Sequence, residues 1–314
     1  MKNKLVSLVI SAYNEEGSIS KLYQEILTAI KSLPVDFEFL FVDDGSTDET
    51  YLEVMKLQKK DKRVKIVQLK RNFGHEIAMT AGMDYAKGDA VIFMDADLQH
   101  PPKYIPQMVK LWLDGKEIVL TKRVDNQDTS RFYKFCAKTF YYILNKVSDT
   151  KVMESAPDFR LLDRKYVNFL KGFNEQDRLF RGLLSWIMPN DNVAIIDFVS
   201  PPRFAGKSKY SFFKSSQLAV NSVLQFSVLP LRLATFLGLI TAFLAGLLGL
   251  YVFAEHFFLN KPTPGYATIM VTVIFLGSVQ LICLGILGEY IGKIHMEVKK
   301  RPLYMADFVE KQDD

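Results

Sequence analysis

Glu38-Phe-Leu-Phe-Val-Asp-Asp-Gly-Ser46 runs from a nearly unbroken apolar stretch straight into two carboxylates and a glycine. A short apolar run of this kind suits a strand buried on both faces, as strands of a parallel sheet are. The change at Asp43 and Asp44 suits the strand's end. Gly45 permits a tight turn there, and Ser46 or Thr47 can cap a helix over 49–60. The pattern recurs on both sides. Residues 5–11 form a strand candidate, followed by the loop 12–17 and a helix over 19–31. Further on come a strand over 64–69, a loop and helix over 72–85, a strand over 90–94, a helix over 104–113 and a strand over 117–122. This alternation predicts an α/β domain with a parallel sheet. In such sheets ligands bind beyond the carboxyl ends of the strands. Three of these strands end in carboxylate-bearing or polar loops.

The following stretch is less periodic. Residues 132–147 read as a helix and 152–160 as an irregular loop bearing Asp158. Helical pieces follow at 166–170 and 179–185, then a strand at 193–199 and a Pro/Gly/basic loop at 200–209. In 212–229, Phe212, Phe213, Leu218, Val220, Val223, Leu224, Phe226 and Leu229 alternate with Ser, Gln and Asn. That suits an amphipathic helix in a membrane interface, or one packed on the α/β core.

Two uncharged runs, 233–254 and 267–288, come next. Each exceeds the ~20 residues that cross a bilayer as a helix. The link between them holds His256, Lys261, Pro262, Pro264 and Gly265 and reads as a turn outside the membrane. Lys207, Lys209, Lys214 and Arg232 precede the first run, and Lys293, Lys299, Lys300 and Arg301 follow the second. The positive-inside bias places both termini on the cytoplasmic side of an inner or plasma membrane. The short apolar stretch 5–10, soon interrupted by Ser11, Asn14, Glu15 and Glu16, makes no secretory leader. The expected organisation is a cytoplasmic catalytic domain over 1–211, an interfacial helix over 212–230, a transmembrane hairpin over 231–292 and a tail over 293–314. Cys136 and Cys283 offer no disulfide or metal framework. A net charge of +5, much of it beside the apolar runs, is too modest to indicate a nucleic-acid partner.

Asp95-Ala-Asp97 places two carboxylates at a strand end, with small Ala96 between them and the Gln99 amide two residues on. A hard cation, Mg²⁺ or Mn²⁺, takes few protein ligands when nucleotide phosphates complete its shell. Helix capping by Asp97 ahead of Pro101 and Pro102 is the structural alternative. Asp43, Asp44 and Glu15 can accept base N–H groups or ribose hydroxyls. No Gly-x-Gly-x-x-Gly or Walker motif is present, so bound phosphates would need a metal and basic side chains. Lys122 and Arg123 end a strand, Arg131 opens a helix, and Arg203, Lys207 and Lys209 lie in the glycine-containing loop. That loop suits a solvated or headgroup-facing surface, or a lid over phosphate.

Taken in order, these motifs resemble membrane-anchored family 2 glycosyltransferases, the bactoprenol glucosyltransferases and dolichol-phosphate mannose synthases among them. The resemblance runs through Ser11-Ala-Tyr-Asn-Glu-Glu16, Val42-Asp-Asp-Gly-Ser-Thr-Asp48, Arg71-Asn-Phe-Gly74, Asp95-Ala-Asp-Leu-Gln-His-Pro-Pro102 and Asp158-Phe-Arg-Leu161. It continues in Arg203-Phe-Ala-Gly-Lys-Ser-Lys-Tyr210, Gly285-x-x-Gly-Glu-Tyr-x-Gly292 and Arg301-Pro-Leu-Tyr304. It implies a GT-A fold and inverting transfer of a hexose from a nucleotide-diphospho-sugar to polyprenyl (undecaprenyl) phosphate. UDP-glucose is the first donor expected, then UDP-N-acetylglucosamine and GDP-mannose. By resemblance, Glu15 and Asp44 contact the nucleoside, with Ala12, Tyr13 and Asp43 beside them and Lys122 also on the donor. Asp95, Ala96, Asp97 and Gln99 serve the metal and diphosphate. Asp158 matches the acidic residue near the acceptor that is usually assigned as base, expected here to orient the phosphate or complete its deprotonation; Arg131 is an acceptor-phosphate contact, and Arg203 and Lys209 the lid. The segment 178–186 closes the sugar pocket. A homotetramer, a flippase and a downstream lipid-sugar-using transferase are the implied partners. Pro157 and Ser200 depart from the usual Gly and Arg. The absence of a Gln-x-x-Arg-Trp motif argues against a processive synthase, and retention of Asp44, Asp95, Asp97 and Asp158 against a non-enzymatic scaffold.

Overall fold

The structure is a computed structural model that describes residues 3–124, 157–173, 175, 176, 178, 180–188, 191–201, 229–259 and 265–309. The helix expected over 132–147, Arg131, Cys136, Arg203, Lys209 and most of the expected interfacial helix lie outside these residues. The described chain divides into two compact units, one containing residues up to 201 and from 301 on, the other residues 229–300.

The first unit is an eight-stranded sheet in the order β7-β5-β6-β4-β1-β2-β3-β8. Its strands are β1 (Leu5–Ala12), β2 (Asp36–Asp43), β3 (Val64–Leu69), β4 (Ala90–Asp95), β5 (Ile118–Arg123), β6 (Arg160–Asp163), β7 (Val193–Phe198) and β8 (Ala306–Val309). The β1–β2, β1–β4, β2–β3 and β5–β7 pairs are parallel. The helices are α1 (Ile19–Ile30), α2 (Thr50–Lys60), α3 (His75–Tyr85), α4 (Ile105–Leu113), α5 (Arg164–Lys171) and α6 (Phe180–Ile187).

Alternation along each strand divides the core. Leu8, Ile10, Phe39 and Phe41 pack towards Leu22 and Ile26 of α1, Val54 of α2 and Met108 of α4. Val9, Val42, Val67 and Phe93 pack towards Ala78 of α3, Val167 of α5 and Phe180 of α6. Helices thus cover both faces, which is why these strands are mostly apolar on both sides. On β1 and β2, seven of eight residues are buried, and only the first of each strand is not.

The all-parallel expectation is corrected at two strands. Antiparallel β6 lies between β4 and β5, and antiparallel β8 closes the edge at β3. Each has only four residues, too few to show a period. Arg160, expected in an irregular loop, is the first residue of β6.

The second unit is a pair of long helices, α7 (Leu229–Leu259) and α8 (Tyr266–Val298). Their apolar windows, Leu231–Tyr251 and Val271–Val298, have a mean hydropathy of 2.2 and are almost entirely unburied. Helices of this length with exposed apolar surfaces fit membrane anchoring. The helices touch each other, with Cys283 Sγ 3.6 Å from the Ala234 carbonyl oxygen.

Candidate active site

The loops after β1 and β2 are stitched together by short hydrogen bonds. Asn14, with φ of 55°, donates its N–H to Ser46 Oγ at 2.9 Å and accepts from Thr47 N at 2.8 Å. Glu15 N donates to Thr50 Oγ1 at 2.8 Å, Glu16 accepts from Glu49 N at 2.8 Å, and Asp44 N donates to the Ala12 carbonyl at 2.9 Å. Ala12 therefore ends β1 against the turn after β2, with half-buried Tyr13 next to it. Gly45 has φ of +67°, and a Cβ there would stand 2.4 Å from the Arg71 carbonyl carbon. Only glycine allows the loop after β2 to approach the loop after β3 this closely.

Asp43 and Asp44 are both buried but are employed differently. Asp44 accepts from Phe73 N at 2.7 Å and Gly74 N at 2.9 Å, fixing the third loop of the site. Burial pushes its carboxyl up despite those bonds. Asp43 accepts from Ser46 N through Oδ1, while its buried Oδ2 makes no hydrogen bond among the described residues. A buried carboxylate oxygen without a donor is an opening for a donor supplied by a ligand.

Asp95 ends β4, and its Oδ1 accepts from Ser11 Oγ at 2.9 Å. His75 Nδ1 lies 3.4 Å from that same oxygen, and His100 Nδ1 lies 3.8 Å from Oδ2. Ala96 N donates to the Ser11 carbonyl, keeping β4 in register beyond its last residue. Asp97 is buried, and its Oδ1 accepts from Gln99 N at 3.0 Å. This is a local turn rather than the helix cap considered from the sequence; the following 3₁₀ turn begins at Pro102, with Pro101 in the capping position. Ser200 Oγ donates to the Gln99 carbonyl at 2.9 Å, so the departure at Ser200 ties the end of β7 to the Asp97–Gln99 loop. Lys122 is exposed near the end of β5. No bond among the described residues joins it to the carboxylates.

Asp158 is buried directly before β6 and is held by three cationic groups. Arg160, two residues along the extended chain and so on the same side, forms an ion pair with Oδ1. Arg181 of α6 donates from Nη2 to Oδ2 at 3.0 Å and from Nε to Oδ1 at 3.3 Å. His75 Nε2 stands 3.3 Å from Oδ2. Burial would raise the Asp158 pKa, but Arg160, Arg181 and His75 outweigh it and hold the carboxyl well below the usual range. Arg160 is itself buried, with the Phe180 ring 5.3 Å from its guanidinium carbon. Arg178 is turned elsewhere, donating to Thr80 Oγ1 at 3.1 Å and to the Phe173 carbonyl.

The family model for glycosyl transferase family 2 matches residues 7–170, from β1 through most of α5. The chain belongs to glycosyl transferase family 2. A second model, the GtrB C-terminal hairpin, matches residues 229–294, which hold the two long helices. An uncharacterized glycosyltransferase of Synechocystis is 39% identical over 96% of this chain and 94% of its own. The SfII prophage-derived bactoprenol glucosyl transferase of Shigella flexneri is 38% identical over 96% of each chain. A prophage bactoprenol glucosyl transferase homolog of Escherichia coli K12 is 36% identical over 98% of this chain and 99% of its own. Among solved structures, a mycobacterial protein superimposes with a TM-score of 0.50 at 16% identity, covering 71% of this chain and 75% of that one. The mixed sheet is of the GT-A type, and the protein is a transferase enzyme.

In this family 2 enzyme, the described residues contain no cluster of three or more His, Cys, Asp or Glu side chains arranged to hold a metal by themselves. Asp95 and Asp97 supply two hard oxygen donors at one strand end. That set fits a divalent cation whose shell is completed by phosphate and water. The sequence reading missed His75, Arg160 and Arg181. Arg160 had a usable signal, because residues two apart on an extended segment share a side. His75 directly follows the quoted motif Arg71-Asn-Phe-Gly74, but its link to Asp158 spans 83 residues and no local pattern encodes it.

Proposed function

We propose that this enzyme transfers a hexose, with glucose from UDP-glucose as first choice, to the phosphate of a polyprenyl phosphate, inverting the anomeric centre. The observation that carries this is identity of 38% along nearly the whole chain, two-helix hairpin included, to a bactoprenol glucosyl transferase. A polyprenyl chain leaves the bilayer at a cost of ~0.8 kcal/mol per CH₂, so the enzyme must meet the headgroup at the membrane. The exposed apolar helices supply an anchor for that. The charge bias around them favours an inner-membrane location with both termini cytoplasmic.

The stitched loops after β1 and β2, with the orphan oxygen of Asp43, support a nucleoside site that includes Glu15 and Asp44. Asp95 and Asp97, assisted by Gln99, would hold Mg²⁺ or Mn²⁺, which when bound would offset the charge on the departing diphosphate. Arg131, Arg203 and Lys209 keep the phosphate-handling roles that the resemblance implies. The acceptor is a phosphate monoester whose second pKa is near 6, so it is largely ionised at neutral pH. It needs no strong base. Asp158, pinned and acid-shifted, accordingly acts by orienting the groups around it rather than by taking a proton. A homotetramer, a flippase and a downstream transferase using the lipid-linked sugar complete the reading.

The test is incubation of the protein in membranes with undecaprenyl phosphate and UDP-glucose, UDP-N-acetylglucosamine or GDP-mannose, reading the lipid product by mass. A hexosyl product from UDP-glucose is expected. Transfer from none of the donors would sink the proposal.

A further inference from the structure

We infer that Arg181 is a binding residue for the acceptor's phosphate, exchanging its bond to Asp158 for one to the incoming phosphate. This rests on the polyprenyl-phosphate reading and adds a residue to it. The sheet order supplies the first argument. The loops read as nucleoside-binding follow β1 and β2, the paired carboxylates stand at the end of β4, and Asp158 precedes β6, the next strand away from them. One imidazole, that of His75, spans the gap from Asp95 to Asp158. Arg181 bonds Asp158 from α6. An anion held there would lie beside Asp158, one strand over from a diphosphate at Asp95 and Asp97. A single displacement needs its nucleophile on the side opposite the leaving group.

The second argument is the unequal burial of the two arginines on one carboxylate. The Arg160 side chain is 3% exposed and fixed beneath Phe180, so it stays paired with Asp158 when Arg181 turns away. The Arg181 side chain is 34% exposed and enters from the first turn of α6, with several rotatable bonds between backbone and guanidinium. Glu76, the other carboxyl near this group, already accepts from Phe180 N at 2.9 Å. A guanidinium donates two parallel N–H bonds as readily to a phosphate as to a carboxylate, and a phosphate dianion attracts it more strongly. In the step itself, a phosphate oxygen forms the bond to the anomeric carbon while the bond to the diphosphate oxygen breaks. The electron pair leaves on the diphosphate, and no proton needs to move.

The experiment uses the full chain in lipid nanodiscs with Mg²⁺, UDP-glucose and undecaprenyl phosphate. Arg181→Gln should raise the acceptor KM about ten-fold or more, the value of a charge-assisted hydrogen bond, while the donor KM stays within about two-fold. Arg181→Lys should recover part of the loss. An unchanged acceptor KM in both variants, or donor and acceptor KM rising together, would overturn the assignment. A purely structural role as the counter-ion of Asp158 is separated by binding of a short-chain prenyl phosphate in the Asp158→Asn background. Arg181→Gln should still weaken binding there, and no further loss would overturn the inference. Should the wild type transfer no sugar, the reaction reading fails. Arg181 is then judged by donor-free prenyl-phosphate binding, and equal binding by wild type and Arg181→Gln overturns it.

Discussion

Nε2 of His75 lies 3.3 Å from Oδ2 of Asp158. The same ring places Nδ1 3.4 Å from Asp95, so one imidazole joins the carboxylate that ends β4 to the one before β6. Burial alone would make this histidine harder to protonate, but Asp95 and Asp158 push its pKa up to about 10. The ring is therefore a cation at neutral pH, with a donor at each nitrogen. His75→Ala should leave two carboxylates facing each other and lower turnover by about ten-fold or more. Imidazole NMR of the metal-free protein provides the direct check. A ring titrating near its ordinary value would refute the assignment.

Asp158 and Asp97 should fail differently when neutralised. Asp158→Asn leaves Arg160 buried beside an uncharged partner, and breaking a buried pair costs about 3–5 kcal/mol. A large drop in thermal stability should accompany the loss of turnover, with UDP binding little changed. Asp97→Asn removes a negative charge from the proposed cation site and should weaken UDP binding only when Mg²⁺ or Mn²⁺ is present. Calorimetric titration of both variants, with and without the cation, compares the two. Loss of UDP binding in Asp158→Asn and its retention in Asp97→Asn would reverse the roles.

The pH dependence separates the acceptor from the protein. Asp158 has a depressed pKa, so its contribution to stability is present above the unfolded value of about 3.9. That contribution is lost only as pH falls through the still lower folded value. It cannot produce a limb near neutrality. The acceptor can, and kcat/KM for polyprenyl phosphate should rise to a plateau above about pH 6. His75 has the opposite sign. Its stabilisation is complete below about pH 6.5 and is lost as pH rises through about 10, so thermal stability should decline across that interval. An activity limb at pH 4–5 would instead indicate a carboxylate base with an ordinary pKa.

The strand-loop-helix order and the apolar hairpin were legible because each rests on local periodicity. Val42-Asp-Asp-Gly45 announces both its strand and its turn, and Asp95-Ala-Asp97 announces the carboxylate pair. Long-range geometry was not legible. That Asp44 uses both oxygens on Phe73 and Gly74 depends on two loops meeting at Gly45. That Arg160 belongs to a strand depends on insertion between β4 and β5, which four residues cannot signal. Arg178 and Arg181 stand three apart on one segment, yet one turns to Thr80 and the other to Asp158.

The expected tail contains β8, and it reaches the site loop through the backbone. Gln68 pairs with Asp307 and Leu69 with Ala306, while Lys70 N donates to the Met305 carbonyl at 2.9 Å. Lys70 also forms an ion pair with Asp307, and Tyr304 donates its hydroxyl to Asp84 at 2.9 Å. The next residues, 71–74, include Phe73 and Gly74, which Asp44 holds. Truncation after Lys300 exposes the β3 edge, which favours aggregation, and removes the register that delivers this loop. It should lower the unfolding temperature and weaken UDP binding. Tyr304→Phe loses one hydrogen bond worth about 1 kcal/mol, or about 2–4 °C in a domain of this size. Differential scanning fluorimetry with and without UDP reads both effects. If the truncated chain melts earlier yet binds UDP as tightly as the full chain, β8 protects the edge without ordering the loop.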